Sequence, residues 1–149
     1  MSDSSFENAL SSFKASGAKI TQQRKIILKY LVDSHTHPTA KKIYDDLKES
    51  QSEISLATVY NTLDALIKTK LVIDIEDKQT GQHHFDFFGS PHYHIICDNC
   101  GKIVDGHNLD FNELVQNARN ESSFLIKGIH VEVHGLCPDC QALKKQDRI

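Results

Sequence analysis

Four cysteines in two Cys-x-x-Cys pairs, Cys97–Cys100 and Cys137–Cys140, carry the strongest chemical signal in the chain. A two-residue gap turns two thiolates toward one ion, and two such pairs supply the four sulfurs of a tetrahedral zinc site. Disulfides or four buried thiols are the alternatives. A second signal, His92-x-His94, lies just upstream of Cys97. The run 92–97 is rich in aromatic and β-branched residues and reads as a strand. Side chains alternate along a strand, so His92 and His94 share one face while Cys97 points to the other. One strand could thus serve two separate metal sites. Taken alone, the pair reads equally well as two surface histidines.

Composition narrows the compartment. At 149 residues, with 39% hydrophobic and 25% charged residues, the chain reads as a folded soluble protein of one domain or two small ones. No apolar run approaches membrane-spanning length, and the polar start Met1-Ser2-Asp3-Ser4-Ser5 does not read as a signal peptide. No membrane partner is therefore expected. A reducing cytoplasmic setting is, and it favours thiolate ligation over disulfides. The net charge of −3 hides an asymmetry: residues 14–48 carry +5 and residues 81–149 carry −3. A basic front suits an anionic partner such as nucleic acid, although a solvated helix surface gives the same pattern.

The elements that must position these residues follow in order. Phe6 to Ser16 reads as a short amphipathic helix ended by Gly17. Thr21 caps a second helix carrying Ile26, Ile27, Tyr30 and Leu31. Thr39 caps a third, with Ala40, Ile43, Tyr44 and Leu47 inward; between them Pro38 restricts His37 to an extended conformation. Ser55 caps a fourth with a stripe of Val59, Leu63, Leu66 and Ile67. Its other faces carry Ala57, Thr58, Tyr60, Asn61 and Asp64, side chains suited to a major groove but also to any exposed helix.

Strands 71–75 and 83–87 then flank a turn at Lys78-Gln79-Thr80-Gly81. Helices followed by a hairpin is the order of a winged helix-turn-helix, with the fourth helix as reader and the hairpin as wing. Phe88-Gly89-Ser90-Pro91 reads as a linker. Beyond it are a strand over 92–97, the cysteine knuckle, a strand over 102–105, a helix over 110–119, alternating residues over 124–133 read as one bent strand or two, and a loose polar tail over 141–149. This region is too small to bury much core alone, a deficit that zinc and a dimer contact would make up. The expected fold class is α+β: a winged-helix DNA-binding domain over 1–87, a linker over 88–91, and a small α/β dimerisation and metal-binding domain over 92–149.

Together these residues resemble the ferric uptake regulator family. The matching motifs run from Ile20-Thr21-Gln22-Gln23-Arg24 through Ala57-Thr58-Val59-Tyr60-Asn61-Thr62-Leu63 to His92-Tyr93-His94 and both cysteine pairs. The resemblance implies a homodimeric repressor that binds double-stranded operator DNA, with a structural Zn(II) on Cys97, Cys100, Cys137 and Cys140. It is nearest to the family's peroxide-sensing branch, which implies a regulatory Fe(II) or Mn(II) held by His37, Asp86, His92, His94 and Asp105. Aspartate at both acidic positions favours that branch, since the iron-uptake branch more usually has glutamate there. The resemblance further implies that peroxide reacting at Fe(II) oxidises a ligand ring, His37 or His92, to 2-oxo-histidine and releases the metal.

Expected DNA contacts are Ala57, Thr58, Tyr60 and Asn61 on the fourth helix, with Lys14, Lys19 and Arg24 on phosphates. Where many members build a further metal site, this chain has Pro91, Tyr93 and Ile129, so a complete third site is not expected. His107, His130, His134, His35, His83 and His84 are expected in surface or core roles. No catalytic residue is expected. The other readings are an iron-, manganese- or zinc-responsive uptake repressor without peroxide sensing, a metal-dependent hydrolase, and a zinc-ribbon interaction module.

Overall fold

The structure, a computed structural model, describes residues 2–34, 36–89 and 91–147. His35 and the final two positions of the expected tail lie outside them. The chain forms two compact units, Met1–Gly89 and Ser90–Ile149.

The first unit contains α1 (Ser2–Ala15), α2 (Gln22–Asp33), α3 (Ala40–Leu47), α4 (Leu56–Lys68), β1 (Val72–Glu76) and β2 (His83–Phe87). Three helices begin on the hydroxyls read from the sequence. Thr21 accepts from the Arg24 N–H at 3.2 Å, Thr39 from Lys42 at 3.1 Å and Ser55 from Thr58 at 3.1 Å. Each cap satisfies an N–H that the first helical turn leaves without an intrahelical acceptor. Gly17 takes the positive φ of +89° that turns the chain out of α1. The helices pack on Phe13, Ile27, Leu28, Leu31, Ile43, Val59, Leu63 and Leu66, all buried. Val72 and Phe85 add the hairpin to this core. β1 and β2 pair antiparallel, with Asp74 opposite Phe85 and Ile73 opposite Asp86. Helices followed by this hairpin make a winged helix-turn-helix.

The second unit contains β3 (Tyr93–Cys97), β4 (Ile103–Gly106), α5 (Phe111–Ser122), β5 (Glu132–Gly135) and α6 (Pro138–Asp147). Its sheet order is β4-β3-β5, with β4 antiparallel and β5 parallel to β3. Two expectations are corrected here. Of the alternating stretch 124–133 only 132–133 is strand, at the start of β5, and Phe124 and Leu125 are 70% and 80% exposed. Alternation shows which residues share a face, but a strand needs an edge to pair with; among the described residues 124–130 pairs with no strand, and Val131 only accepts, through its carbonyl, from the His94 N–H at 3.1 Å. The tail expected to be loose is helical to Asp147, because α6 begins at Pro138 inside the second cysteine pair. Proline is well suited to a first helical position, where its missing N–H costs nothing.

Gly106 ends β4 directly opposite Tyr93, whose ring lies over it. A Cβ on Gly106 would overlap that ring. Gly106→Ala is therefore expected to destabilise the second unit by about 1–3 kcal/mol, the usual cost of overpacking. A denaturation midpoint unchanged from the parent protein would show that the ring moves aside freely.

Candidate metal centres and nucleic-acid interface

β3 runs into the first cysteine pair and turns back at Gly101, whose φ of +79° lets the chain enter β4. The Gly101 N–H donates to the Cys97 carbonyl at 3.0 Å and the Cys97 N–H to the Lys102 carbonyl at 2.9 Å, closing the knuckle. The second pair opens α6. The sulfurs of Cys97, Cys100, Cys137 and Cys140 lie within 4.8 Å of one another, with Cys100 and Cys137 at 3.8 Å. Zinc–sulfur bonds of about 2.3 Å in a tetrahedron place sulfurs about 3.8 Å apart, so the set fits one zinc ion.

The surrounding donors support that fit. The Cys137 N–H reaches Cys97 Sγ at 3.3 Å, and the Asn99 amide reaches Cys140 Sγ at 3.3 Å. Backbone N–H groups of Cys100 and Cys137 pull the Cys97 thiol down to about 6. At Cys140 the Asn99 amide favours the thiolate, but Cys137 and burial outweigh it and push the thiol up to about 12. Four sulfurs this close cannot all ionise cheaply unless a cation offsets their repulsion.

The histidines and aspartates fall into two sets, one in each unit. In the first, His37 Nε2 lies 3.9 Å from Asp86 Oδ2, both side chains largely buried. The Pro38 carbonyl accepts from the Phe85 N–H at 2.8 Å, and the His37 carbonyl meets His84 Nδ1 at 2.8 Å. These ties hold the segment carrying His37 along β2. In the second unit, β3 places His94 opposite Asp105 on β4 and Glu132 on β5. His94 is fully buried, with Nε2 3.7 Å from Asp105 Oδ1. His92 is 6% exposed, and its ring stands edge-on to His94 at 4.8 Å. Imidazole and carboxylate donors form the mixed N/O set that Fe(II) and Mn(II) accept, with zinc a competitor.

Residues that the motifs left unassigned are engaged in the second unit. The His107 ring lies 6.0 Å from His92 and the His130 ring 5.5 Å from His94. His134 bridges two carboxylates, Asp98 and Glu132, each at 3.1 Å. Asp98 sits inside the cysteine knuckle, so this bridge ties β5 to it. A surface reading fits His83, which pairs with Asp74 at 2.8 Å. His84 is the one that pattern reading missed. A histidine two residues before Asp86 on one strand shares its face, and that parity was the available signal.

On α4, Ala57, Tyr60 and Asn61 are exposed and Thr58 is half-buried, while Val59, Thr62, Leu63 and Leu66 face the core. Tyr60 and Asp64 share an open groove with Asp74 and His83 of the hairpin. All three acids of the basic front pair locally: Asp33 with Lys29, Asp45 with Lys41 and Lys48, and Asp46 with Lys42. Four of the five surplus positive charges therefore fall on Lys14, Lys19, Arg24 and Lys25, and the fifth stays with Lys41 and Lys48, which share Asp45. Arg24 also donates to the Lys19 carbonyl at 3.0 Å, which fixes the turn between α1 and α2. No helix among the described residues is long and apolar enough to cross a membrane.

The sequence matches the family model of the ferric uptake regulator family over residues 15–134. It is 41% identical over 135 residues to the peroxide-responsive repressor PerR of Staphylococcus saprophyticus, covering 91% of this chain and 90% of that protein. The PerR of Staphylococcus aureus is 39% identical over the same length. A solved structure of PerR from Streptococcus pyogenes, described as the basis for peroxide sensing and gene regulation, is 35% identical with a TM-score of 0.55, covering 92% of this chain and 93% of that one. The Helicobacter pylori ferric uptake regulator has a TM-score of 0.70 at 23% identity over 95% of this chain and 94% of that one, a likeness of fold alone.

Cys97→Ser or Cys137→Ser is expected to lose the zinc and destabilise the second unit, since ligation is coupled to folding. Lowering the pH should likewise release zinc from the parent protein, because protons compete for the thiolates. Full zinc occupancy in either variant, measured by elemental analysis, would refute the four-sulfur assignment.

Proposed function

This chain belongs to the ferric uptake regulator family, and we propose that it is a metal-dependent, DNA-binding transcriptional repressor that senses hydrogen peroxide. One observation supports this reading most directly. Each unit carries an imidazole–aspartate pair at ligand-like spacing, His37/Asp86 at 3.9 Å and His94/Asp105 at 3.7 Å. The high identity to proteins named peroxide-responsive repressors supports the peroxide branch.

In this reading His37, Asp86, His92, His94 and Asp105 hold one regulatory Fe(II) or Mn(II), and the four cysteines hold a structural Zn(II). The regulatory ligands are divided between the two units. Their shared occupation of one ion selects the arrangement in which two winged helices fit two operator half-sites. Metal and operator then raise each other's affinity by the same factor.

Bound Fe(II) supplies the one-electron chemistry by which peroxide becomes an oxidant. A ligand ring beside it, His37 or His92, would be the group oxidised: one oxygen of peroxide would add to the ring, the other would leave as water, and the ring would become a poorer donor. The grip between the units weakens and the operator is released. The cysteines have a structural role in this scheme.

α4 reads the major groove through Ala57, Thr58, Tyr60 and Asn61, while Lys14, Lys19 and Arg24 meet phosphates. A second copy of the chain is the expected partner. α5 has no buried residue, and Leu114, Phe124, Leu125, Ile95 and Val133 leave apolar surface exposed on a small unit. Thiolate ligation suits a reducing, cytoplasmic setting.

His37→Ala should keep its zinc yet lose metal-stimulated retardation of operator DNA. Peroxide given to the Fe(II) form of the parent protein should add one oxygen to a peptide containing His37 or His92 and release DNA, with far less of either in the Mn(II) form. Release accompanied by cysteine disulfides and unmodified histidines would reverse the roles of the two sites. Retention of DNA with unmodified histidines would leave a metal-responsive uptake repressor. Tyr60→Ala should weaken operator binding by about 1–3 kcal/mol at unchanged metal content, the range of a good base contact.

A further inference from the structure

The His37 segment is held at more than one point, and one of them is a side chain with no assigned role. His84 Nδ1 lies 2.8 Å from the His37 carbonyl oxygen, a contact spanning 47 residues. A carbonyl can only accept, so Nδ1 carries the proton and His84 is the donor. Phe85 points into the core, which puts His84 and Asp86, on either side of it, on the opposite face of β2. One strand face thus grips His37 twice, through its backbone at His84 and beside its imidazole at Asp86.

The peptide being gripped is unusual. It joins His37 to Pro38 and has no N–H, so its carbonyl is its only hydrogen-bonding group. Binding that oxygen fixes the plane of the peptide and with it the ψ of His37. The next peptide is fixed by the Phe85 N–H on the Pro38 carbonyl at 2.8 Å, and the one after leads into the Thr39 cap of α3. With ψ set, the Cβ of His37 is aimed and only its side-chain rotation is left to order.

We propose that His84 is a positioning residue for the regulatory metal, holding His37 against Asp86 through its bond to the His37 carbonyl. The inference rests on the reading of His37 and Asp86 as ligands. Its energetic logic is preorganisation: an ion meeting an aimed imidazole does not have to order the segment. Removing an outer-shell partner of a ligand typically costs 10–100-fold in metal affinity. Because this partner acts on the ligand's backbone, the lower end of that range is expected.

The test is Mn(II) titration of the zinc-loaded full chain, with operator binding measured in parallel. His84→Ala should weaken Mn(II) binding about 10-fold. His84→Asn keeps a donor near the position of Nδ1 and should recover most of that loss. At saturating Mn(II) both should bind operator as the parent does, since the segment is ordered once the ion is held. His37→Ala is the control for the underlying reading. If His37→Ala loses Mn(II) affinity and His84→Ala does not, the positioning role is wrong and the ligand assignment stands. If His37→Ala keeps its Mn(II) affinity, both fall. Weakened operator binding by His84→Ala at saturating Mn(II), with a lowered melting temperature, would mean that His84 only braces the hairpin. Failure of His84→Asn to recover affinity would refute the donor bond as the cause.

Discussion

Four sulfurs held within 4.8 Å of one another carry more of the second unit's order than its apolar side chains do. Among its described residues the buried hydrophobic ones are Ile96, Cys97 and Cys140, and two of these three are members of the sulfur cluster. A unit this small cannot offset its conformational entropy by burial alone, so a cross-link from metal ligation stands in for a core. The chain is arranged accordingly. The first cysteine pair is the turn between β3 and β4, and the second opens α6 just after β5. Ligation at one point therefore fixes all three strands and the last helix. The bridge from Asp98 through His134 to Glu132 adds a polar tie between the knuckle and β5.

The same strand that enters the sulfur cluster carries His94, with His92 just before it, and parity sets these rings on the face away from Cys97. His94 faces the carboxylates of its neighbouring strands, and Cys97, three residues on, faces the other way. Soft thiolates suit a permanent zinc ion, while imidazole and carboxylate suit a harder ion that can leave. A repressor that must keep its fold while losing its signal needs that division. The proposed oxidation of His37 or His92 would then change one site without unfolding the unit around the other.

The first unit is stabilised in the ordinary way, by helices packed on a continuous apolar core and begun by hydroxyl caps. Its basic surface is smaller than its composition suggests. The lysines of α3 neutralise their own helix's aspartates, leaving positive charge near the end of α1 and the start of α2. Exposed pairs of this kind contribute little stability. Their consequence is to localise the charge available to phosphates. Tyr30 is drawn into the same network: partial burial and the hydrogen bond to Asp46 push its hydroxyl well above its usual range, so it stays a donor.

Local chemistry was legible in the sequence because it depends on neighbours along the chain. The caps at Thr21, Thr39 and Ser55, the inward stripe of α4, the hairpin and the paired cysteines all express spacings of two to four residues. The family motifs added which distant residues belong together. What tertiary structure alone decided depends on partners far along the chain. Residues 124–133 alternate as a strand would over much of their length, yet only their last two fall in β5, which pairs with β3. A polar tail became helix because the second cysteine pair set its starting point. The charge of the basic front was redistributed by side-chain pairs that composition cannot show. For His84 strand parity marked only the face it shares with Asp86: its partner is a backbone oxygen 47 residues away, and no side-chain pattern marks a carbonyl.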